Sequence, residues 1–176
     1  MSSSSDWTSR AERPGDGAAI ESLLDRSFGT DRKVARISYR FREGRAPLGE
    51  LCRVAESGEG AILACARAWE VMAGGARLPL FGPLAVEPQL RGQGMGRSLL
   101  AECLATARRG RWPGGVLVGE AEYYRPFGFR PAGEYGLVLP LRLAPPGGVD
   151  SARFLALEFS LGGLQGVSGE ILPLDE

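Results

Sequence analysis

The stretch from residue 78 to residue 100 constrains the fold more than any other part of the chain. An apolar run that ends at Val86 is typical of a buried strand. After a short loop, apolar residues recur at helical spacing, namely Met95, Leu99, Leu100, Cys103, Leu104 and Ala107. The sequence therefore predicts a strand, a glycine-rich loop and a helix in direct succession.

Three glycines alternate through that loop, at Gly92, Gly94 and Gly96. Because glycine has no Cβ, the backbone there can turn its N–H groups toward a ligand that lies closely against it. A helix N-terminus adds unpaired N–H groups and a partial positive charge, and Arg91 and Arg97 add two cations. We therefore predict an anion site at the loop, suited to a pyrophosphate.

Two common phosphate-binding motifs do not describe this loop well. A Walker P-loop needs a lysine followed by serine or threonine, and the only lysine of the chain is Lys33, so this motif is excluded. A dinucleotide-binding fingerprint counted from Gly92 needs a third glycine where the chain has Arg97, so that match is weak. A purely structural role, as a tight connection between strand and helix, stays open at this point.

Length and charge bound the domain organisation and the partners. The chain has 176 residues, which predicts one domain over residues 6–176 after a flexible polar tail at 1–5. Its 21 basic and 21 acidic residues balance, so we expect neither nucleic acid nor an anionic membrane as a partner. No apolar run approaches the ~20 residues of a membrane helix. Without a secretory signal pattern, a cytoplasmic location is the expectation.

The chain contains no histidine, which narrows the possible chemistry. This absence excludes Ser-His-Asp and Cys-His catalysis and histidine metal sites. Proton transfer then falls to carboxylates, tyrosine or water. Cys52, Cys65 and Cys103 are far apart in apolar surroundings, so we expect buried, reduced thiols and no metal site.

Patterns along the rest of the chain predict a mixed sheet. Strands are expected at residues 7–13, 49–55, 61–71, 78–86, 116–118, 135–141 and 152–159, with a short edge strand near the C-terminus. One helix is expected from Asp16 to Phe28. A second would start at Asp31, with Val34, Ile37 and Phe41 inward and Arg32, Arg36, Arg40 and Arg42 on a solvated face. Short turns favour antiparallel pairing, except for one parallel crossover around the glycine loop.

The glycine loop resembles the acyl-CoA loop of the GCN5-related N-acetyltransferases (GNAT). That pattern is Arg or Gln, two residues, Gly, one residue, then Gly or Ala, and Arg91, Gly94 and Gly96 match it. The resemblance implies that the preceding strand pairs with the pantetheine arm of acetyl-CoA, the acyl donor, and that the loop holds the pyrophosphate. The implied donor-binding residues are Leu84, Ala85, Val86, Arg91, Gly92, Gln93, Gly94, Met95, Gly96 and Arg97.

A second segment, residues 119–129, resembles the part of the same family in which a tyrosine lies four residues before a Gly-Phe pair. Tyr124, Gly128 and Phe129 match it. The resemblance implies that Tyr124 protonates the departing CoA thiolate. A phenol with an ordinary pKa of about 10 is neutral at pH 7 and suits that role. A structural role for the aromatic cluster around Tyr124 is the alternative.

The resemblance covers most of the chain. Phe154 to Glu158 and Gly166 to Gly169 are similar to segments of a subgroup of predicted acetyltransferases called YhbS-like. The resemblance implies the GNAT fold, an α/β (α+β) arrangement with a mixed, mostly antiparallel twisted sheet of about seven strands and about four helices. The expected state is a monomer or a homodimer.

The general base is not identified by any motif. With no histidine, the candidates are Glu120, Glu122, Glu70 on a neighbouring strand, or a chain of water molecules. We name Glu120 and Glu70 as candidate catalytic residues beside Tyr124. A backbone N–H at Ala85 or Val86 is expected to stabilise the oxyanion.

Three functional hypotheses follow. The first, implied by the resemblance, is an N-acetyltransferase that moves the acetyl group of acetyl-CoA to a primary amine by direct attack on the thioester. The second is a non-catalytic acyl-CoA-binding module on the same fold. The third is an unrelated binder of nucleotide phosphates that uses the glycine loop.

Overall fold

The described part of the chain contains ten strands and five α-helices, which are connected by loops and 3-10 turns. A computed structural model describes residues 6–174, without the side chains of residues 34 and 35. The strands are β1 Trp7–Ala11, β2 Arg53–Ser57, β3 Ile62–Ala73, β4 Ala76–Val86, β5 Gly114–Val118, β6 Arg130–Pro131, β7 Leu137–Val138, β8 Phe154–Glu158, β9 Gly169–Glu170 and β10 Leu172–Pro173. The helices are α1 Gly17–Phe28, α2 Arg32–Ala35, α3 Ser38–Arg42, α4 Met95–Arg109 and α5 Ala121–Tyr124.

Eight of the strands form one mixed sheet. Its order is β1-β2-β3-β4-β5-β8-β6, and β10 adds to β3 beside Met72. Neighbouring strands are antiparallel except β4 and β5, which are parallel and are joined through α4. The strands β7 and β9 form a separate parallel pair. The predicted mixed, mostly antiparallel sheet with one parallel crossover is confirmed.

The sheet is buried on both faces, as the alternation of β3 shows. Cys65 packs with α1, whereas Ala64 and Ala66 on either side of it pack with α4. Because successive side chains of a strand point to opposite faces, the two long helices lie on opposite sides of the sheet. Further along β3, Val71 lies on the same face as Cys65 and packs with α3 and the C-terminal segment.

Several predicted boundaries need correction. The strand expected at 49–55 begins as a 3-10 turn at Gly49–Leu51, and β2 starts only at Arg53. The strand expected at 135–141 is reduced to Leu137–Val138, because Pro140, which has no N–H, is followed by another 3-10 turn. The predicted tail at residues 1–5 lies outside the described part of the chain.

The predicted second helix is wrong in form and partly wrong in orientation. An extended Arg36 divides it into α2 and α3, so its residues do not share one helical face. Ile37 and Phe41 are buried as predicted, while the side chain of Val34 lies outside the described part. Two of the four arginines predicted on a solvated face are buried: Arg32 is 2% exposed and pairs with Glu21 and Asp25, and Arg42 is 7% exposed.

Two further sequence expectations bear on the core and on the membrane. Cys52, Cys65 and Cys103 are buried free thiols, as predicted. Burial raises the pKa of each to about 12. Within residues 6–174, none of the helices has the length and apolar character needed to cross a bilayer.

Candidate active site

The site lies where β4 and β5 separate. The two strands pair only at Leu80 with Val116 and at Phe81 with Leu117. Immediately afterwards, Gly82 and Pro83 lie opposite the single residue Arg67 of β3, so β4 carries a bulge. The rest of β4 then runs along β3 without a partner on its other edge. We call the resulting space between the end of β4 and the end of β5 the gap.

A cavity of about 670 Å³ occupies this gap. Four parts of the chain line it: the region from Ser27 to Arg42, the end of β4, the glycine loop with the start of α4, and the segment after β5 together with Arg153. The predicted residues that line it are Leu84, Ala85, Val86, Arg91, Gly92, Gly94, Met95, Gly96, Arg97, Glu120 and Tyr124. The fold therefore brings the glycine loop and Tyr124 into one cavity.

The register of β4 decides which backbone groups face the gap. The N–H of Glu87 donates to the carbonyl of Leu63 at 2.8 Å, so this pair is hydrogen-bonded across β3 and β4. Hydrogen-bonded and non-bonded pairs alternate in an antiparallel ladder, so Ala85 also bonds to β3, whereas Leu84 and Val86 point their N–H and carbonyl groups away from it. The Ser27 hydroxyl, 3.3 Å from the carbonyl of Val86, agrees with this direction. Of the two predicted oxyanion donors, Val86 faces the gap and Ala85 does not.

The glycine loop ends directly at the N-terminus of α4. Gly92 and Gly94 have φ values of 80° and 84°, a region that other residues rarely adopt. Gly94 is the N-cap and has no side chain to bond the first N–H groups of the helix, those of Met95 to Arg97. These groups also lack intrahelical acceptors. The loop thus presents N–H donors that have no acceptor within the helix to the cavity that these residues line.

The two arginines of the loop take different positions. The Arg91 guanidinium donates to the carbonyl of Ser27 at 3.1 Å, which ties the loop to the end of α1. The Arg97 guanidinium lies over the rings of Tyr123 and Phe127, at 5.4 and 5.9 Å from their centroids. Both side chains line the cavity, so two cations lie beside the free N–H groups of α4.

The Tyr124 ring packs on the end of β5. A Cβ atom on Gly119 would lie 2.4 Å from this ring, so only glycine leaves room for it. Tyr124 also contacts Tyr123 and Phe129 edge to face, at 4.9 and 5.9 Å. Burial raises the pKa of Tyr124 to about 12, against the opposing effect of nearby arginines, so the phenol is protonated throughout the neutral range.

The predicted carboxylates are divided between different places. Glu120 lines the cavity, but its side chain is 74% exposed and lies 3.3 Å from a terminal nitrogen of Arg153. Glu70 lies in a separate depression, where it pairs with Arg77 at 3.2 Å. Glu122 pairs with Arg125 and is not among the residues that line the cavity. The fold therefore brings only Glu120 to Tyr124. Gln93, predicted to bind the donor, does not line the cavity either.

Sequence reasoning missed several cavity residues. Arg36, Arg42 and Arg153 line the cavity and were predicted either as a solvated face or not at all. Tyr123 also lines it, close to the start of α4. The paired tyrosines were the only sequence signal for Tyr123, and no spacing pattern links Arg153 to Arg36. Among residues 6–174, no group of three or more Cys, Asp and Glu side chains is arranged to hold a metal ion.

Comparisons with known proteins place these features in a family. A family model described as an acetyltransferase (GNAT) domain matches residues 49–131. The chain is 32% identical over 130 residues to the uncharacterized N-acetyltransferase YhbS of Escherichia coli K12, a match that covers 73% of this chain and 76% of that protein.

Solved structures with CoA ligands share the fold. The GNAT family N-acetyltransferase YhbS from Escherichia coli, solved in complex with CoA, superposes with a TM-score of 0.79 at 28% identity, covering 97% of this chain and 91% of that one. A GNAT family acetyltransferase from Brucella melitensis, solved with acetyl-CoA, gives a TM-score of 0.65 at 29% identity and covers 89% and 90% of the two chains. The chain therefore belongs to the GNAT family of N-acetyltransferases.

Proposed function

We propose that this protein transfers the acetyl group of acetyl-CoA to a primary amine, and that the donor binds in the gap. The observation that carries the proposal is that the unpaired edge of β4 lies beside the N-terminus of α4, which has no side-chain cap. A Cβ atom on Gly96 would lie 3.2 Å from Val86 and 3.8 Å from Leu84, so α4 starts directly beside that edge. Two similar proteins, with CoA and with acetyl-CoA, support this choice of donor.

The residues present suit both ends of the donor. The free N–H groups of Met95, Gly96 and Arg97, with the cations of Arg91 and Arg97, suit a pyrophosphate. No atom lies within 4 Å of a Cβ position on Gly92 or Gly94, so the loop leaves open space in front of these donors. The N–H and carbonyl groups of Leu84, which face the gap, offer hydrogen bonds to the amides of a pantetheine arm.

Acetyl-CoA, when bound, supplies a thioester: the amine nitrogen forms the new C–N bond, the C–S bond breaks, and the sulfur takes a proton. In this proposal the Val86 N–H, which faces the gap, donates to the carbonyl oxygen where negative charge develops. Tyr124 holds the proton for the sulfur, because it lines the same cavity and stays protonated at neutral pH. The amine loses its proton to Glu120 or to water. Glu70 has no part, since it lies outside the cavity.

Release of free thiol from acetyl-CoA tests this function. Purified protein is mixed with acetyl-CoA and a panel of amino acids, polyamines, amino sugars and peptides, and CoA thiol is detected with a disulfide reagent. The three cysteines of the protein are buried, so the native enzyme contributes no background. We expect turnover with at least one amine.

Matched tyrosine variants separate catalysis from folding. Tyr124→Phe should lower kcat by about a hundredfold or more while leaving the affinity for CoA unchanged, because it removes the acid but not the binding groups. Tyr135→Phe, in a turn outside the cavity, is the control and should keep full activity. Tight CoA binding with no turnover on any amine would instead indicate a non-catalytic module. Preferential binding of ATP or NAD would contradict the donor itself.

A further inference from the structure

The positive charge of the cavity is not confined to the glycine loop. Five arginines line it, Arg36, Arg42, Arg91, Arg97 and Arg153, against one carboxylate, Glu120. Arg91 and Arg97 belong to the glycine loop and account for a pyrophosphate. The other three come from outside the loop: Arg36 lies between α2 and α3, Arg42 lies in α3, and Arg153 directly precedes β8.

Arg42 is the most unusual of these three. It is 7% exposed, yet its Nε has no hydrogen-bond partner. Its guanidinium lies 3.7 Å from the centre of the Tyr39 ring and 4.9 Å from that of Trp69, which hold it in place through their faces. No ion pair within residues 6–174 involves Arg42. Burial lowers its pKa to about 10, which still leaves it cationic at neutral pH.

Arg36 and Arg153 line the same cavity as Arg42, and they lie close enough to each other and to Tyr124 for their charges to interact. The Arg36 guanidinium stacks on the Phe28 ring at 4.1 Å, and burial, followed by the charge of Arg153, lowers its pKa. The Nε of Arg153 is also buried without a partner, and the charges of both arginines act on Tyr124. Since we place Tyr124 at the donor sulfur, these cations lie at the reacting end and not at the pyrophosphate end.

We propose that Arg36, Arg42 and Arg153 form a subsite for an anionic group of the acceptor, so that the substrate is an amine carrying a carboxylate, phosphate or sulfate. That this anion belongs to the acceptor rests on the proposed acetyltransferase function. Guanidinium groups bind such oxyanions through paired N–H donors, and all three of these residues line the cavity.

The same three arginines could also reduce the need for a general base to take the proton of the amine. An ammonium group close to fixed cations loses its proton more easily, because like charges disfavour the charged form. An acceptor bound with its anion on the three arginines would hold its amine in this positive field. Water would then suffice to take the proton.

Paired acceptors test the subsite. Each pair differs only in the anion, as in an amino acid and its amide, or phosphoethanolamine and ethanolamine, and CoA release gives kcat/KM with acetyl-CoA. We expect the anionic member of the preferred pair to exceed the neutral one by at least tenfold. Equal kcat/KM for the members of every pair would overturn the proposal. So would a preference for succinyl-CoA over acetyl-CoA with neutral amines, which would assign the arginines to the acyl group of the donor.

Arginine variants test whether the preference for anionic acceptors depends on these side chains. The double variant Arg36→Gln, Arg153→Gln changes two side chains that are not fully buried, and it should remove the preference while the CoA affinity measured by calorimetry stays the same. Arg77→Gln, in the separate depression beside Glu70, is the control and should retain the preference. A double variant that keeps the full preference would overturn the proposal.

A crystallographic measurement separates the two proposals. Crystals grown with CoA are soaked in selenate, and the anomalous signal of selenium locates the ion. A peak contacting the three guanidinium groups supports the anion site even if no amine is acetylated, in which case only the enzymatic proposal fails. No peak at that position, with CoA bound in the gap, would overturn the anion site while leaving the acetyltransferase proposal intact.

Discussion

The hydroxyl oxygen of Tyr123 lies 3.0 Å from the position that a Cβ atom would take on Gly96. Val86 approaches the same point at 3.2 Å. Gly96 lies inside the first turn of α4, so it is required for this close approach and not for an unusual backbone conformation. The contact joins the glycine loop, the open edge of β4 and the tyrosine pair.

We predict that Gly96→Ala lowers the free energy of unfolding by about 1–3 kcal/mol, because the added methyl group overpacks this junction. Tyr123→Phe in the same protein removes the closest atom and should restore part of the loss. Urea unfolding of the two single variants and the double variant measures the coupling. Gly17→Ala, in the first turn of α1 with no atom within 4 Å, is the matched control and should not destabilise. Purely additive effects at positions 96 and 123 would contradict this account of the contact.

The glycine loop gives a second prediction, on donor affinity. A replacement at position 94 must tolerate the φ of 84° that Gly94 has, and asparagine does so more readily than most residues with a side chain. Because a Cβ there meets no atom within 4 Å, Gly94→Asn should fold and place its side chain where we expect the pyrophosphate. We expect CoA affinity by calorimetry to fall by at least tenfold, about 1.4 kcal/mol.

Gly75→Asn is the matched control for the loop variant. Gly75 has a φ of 79° and the same open surroundings, but it lies in the turn between β3 and β4, outside the cavity. Its CoA affinity should equal that of the unchanged protein. If Gly94→Asn also leaves the affinity unchanged, the pyrophosphate does not bind at this loop.

The parts of the fold that were predicted well are those set by local patterns. Helix α4 follows from the spacing of its apolar residues, and its start follows from the alternating glycines. Helix α1 likewise matches its predicted range of Asp16 to Phe28 within one residue. These features depend on neighbours along the chain, so the sequence alone contains the necessary information.

The parts that were missed depend on distant contacts. Arg32 is buried because Glu21 and Asp25 of α1 neutralise it, and Arg42 because two aromatic rings enclose it. An amphipathic pattern assigns arginines to the surface, so it fails where tertiary partners compensate for the cost of burial. Arg153 reaches the cavity only because β8 pairs with β5, a relationship that no local spacing encodes.

A third prediction concerns acid stability and Asp16, the N-cap residue of α1. Its carboxylate makes no cap hydrogen bond and instead accepts two hydrogen bonds from Arg10, at 2.7 and 2.9 Å, and one from the N–H of Arg13 at 2.7 Å. The hydrogen bonds from Arg10, more than any other cause, lower the pKa of Asp16 below its ordinary value of 3.8. Folding thus favours the ionised carboxylate.

The sign of the effect on stability follows from that direction. Above the ordinary pKa the carboxylate is charged in both the folded and unfolded states, and its hydrogen bonds stabilise the fold in full. As the pH falls toward the folded-state pKa, the unfolded chain binds the proton first, and the stabilisation is lost.

Asp16→Asn should therefore lower the free energy of unfolding by about 2 kcal/mol at pH 7, and by progressively less as the pH falls from 5 to 2. Urea titrations at each pH measure this difference. Glu59→Gln, at an exposed turn position, is the control and should follow the unchanged protein at every pH. A deficit in Asp16→Asn that is the same at pH 2 and pH 7 would show that the carboxylate's charge contributes nothing to folding.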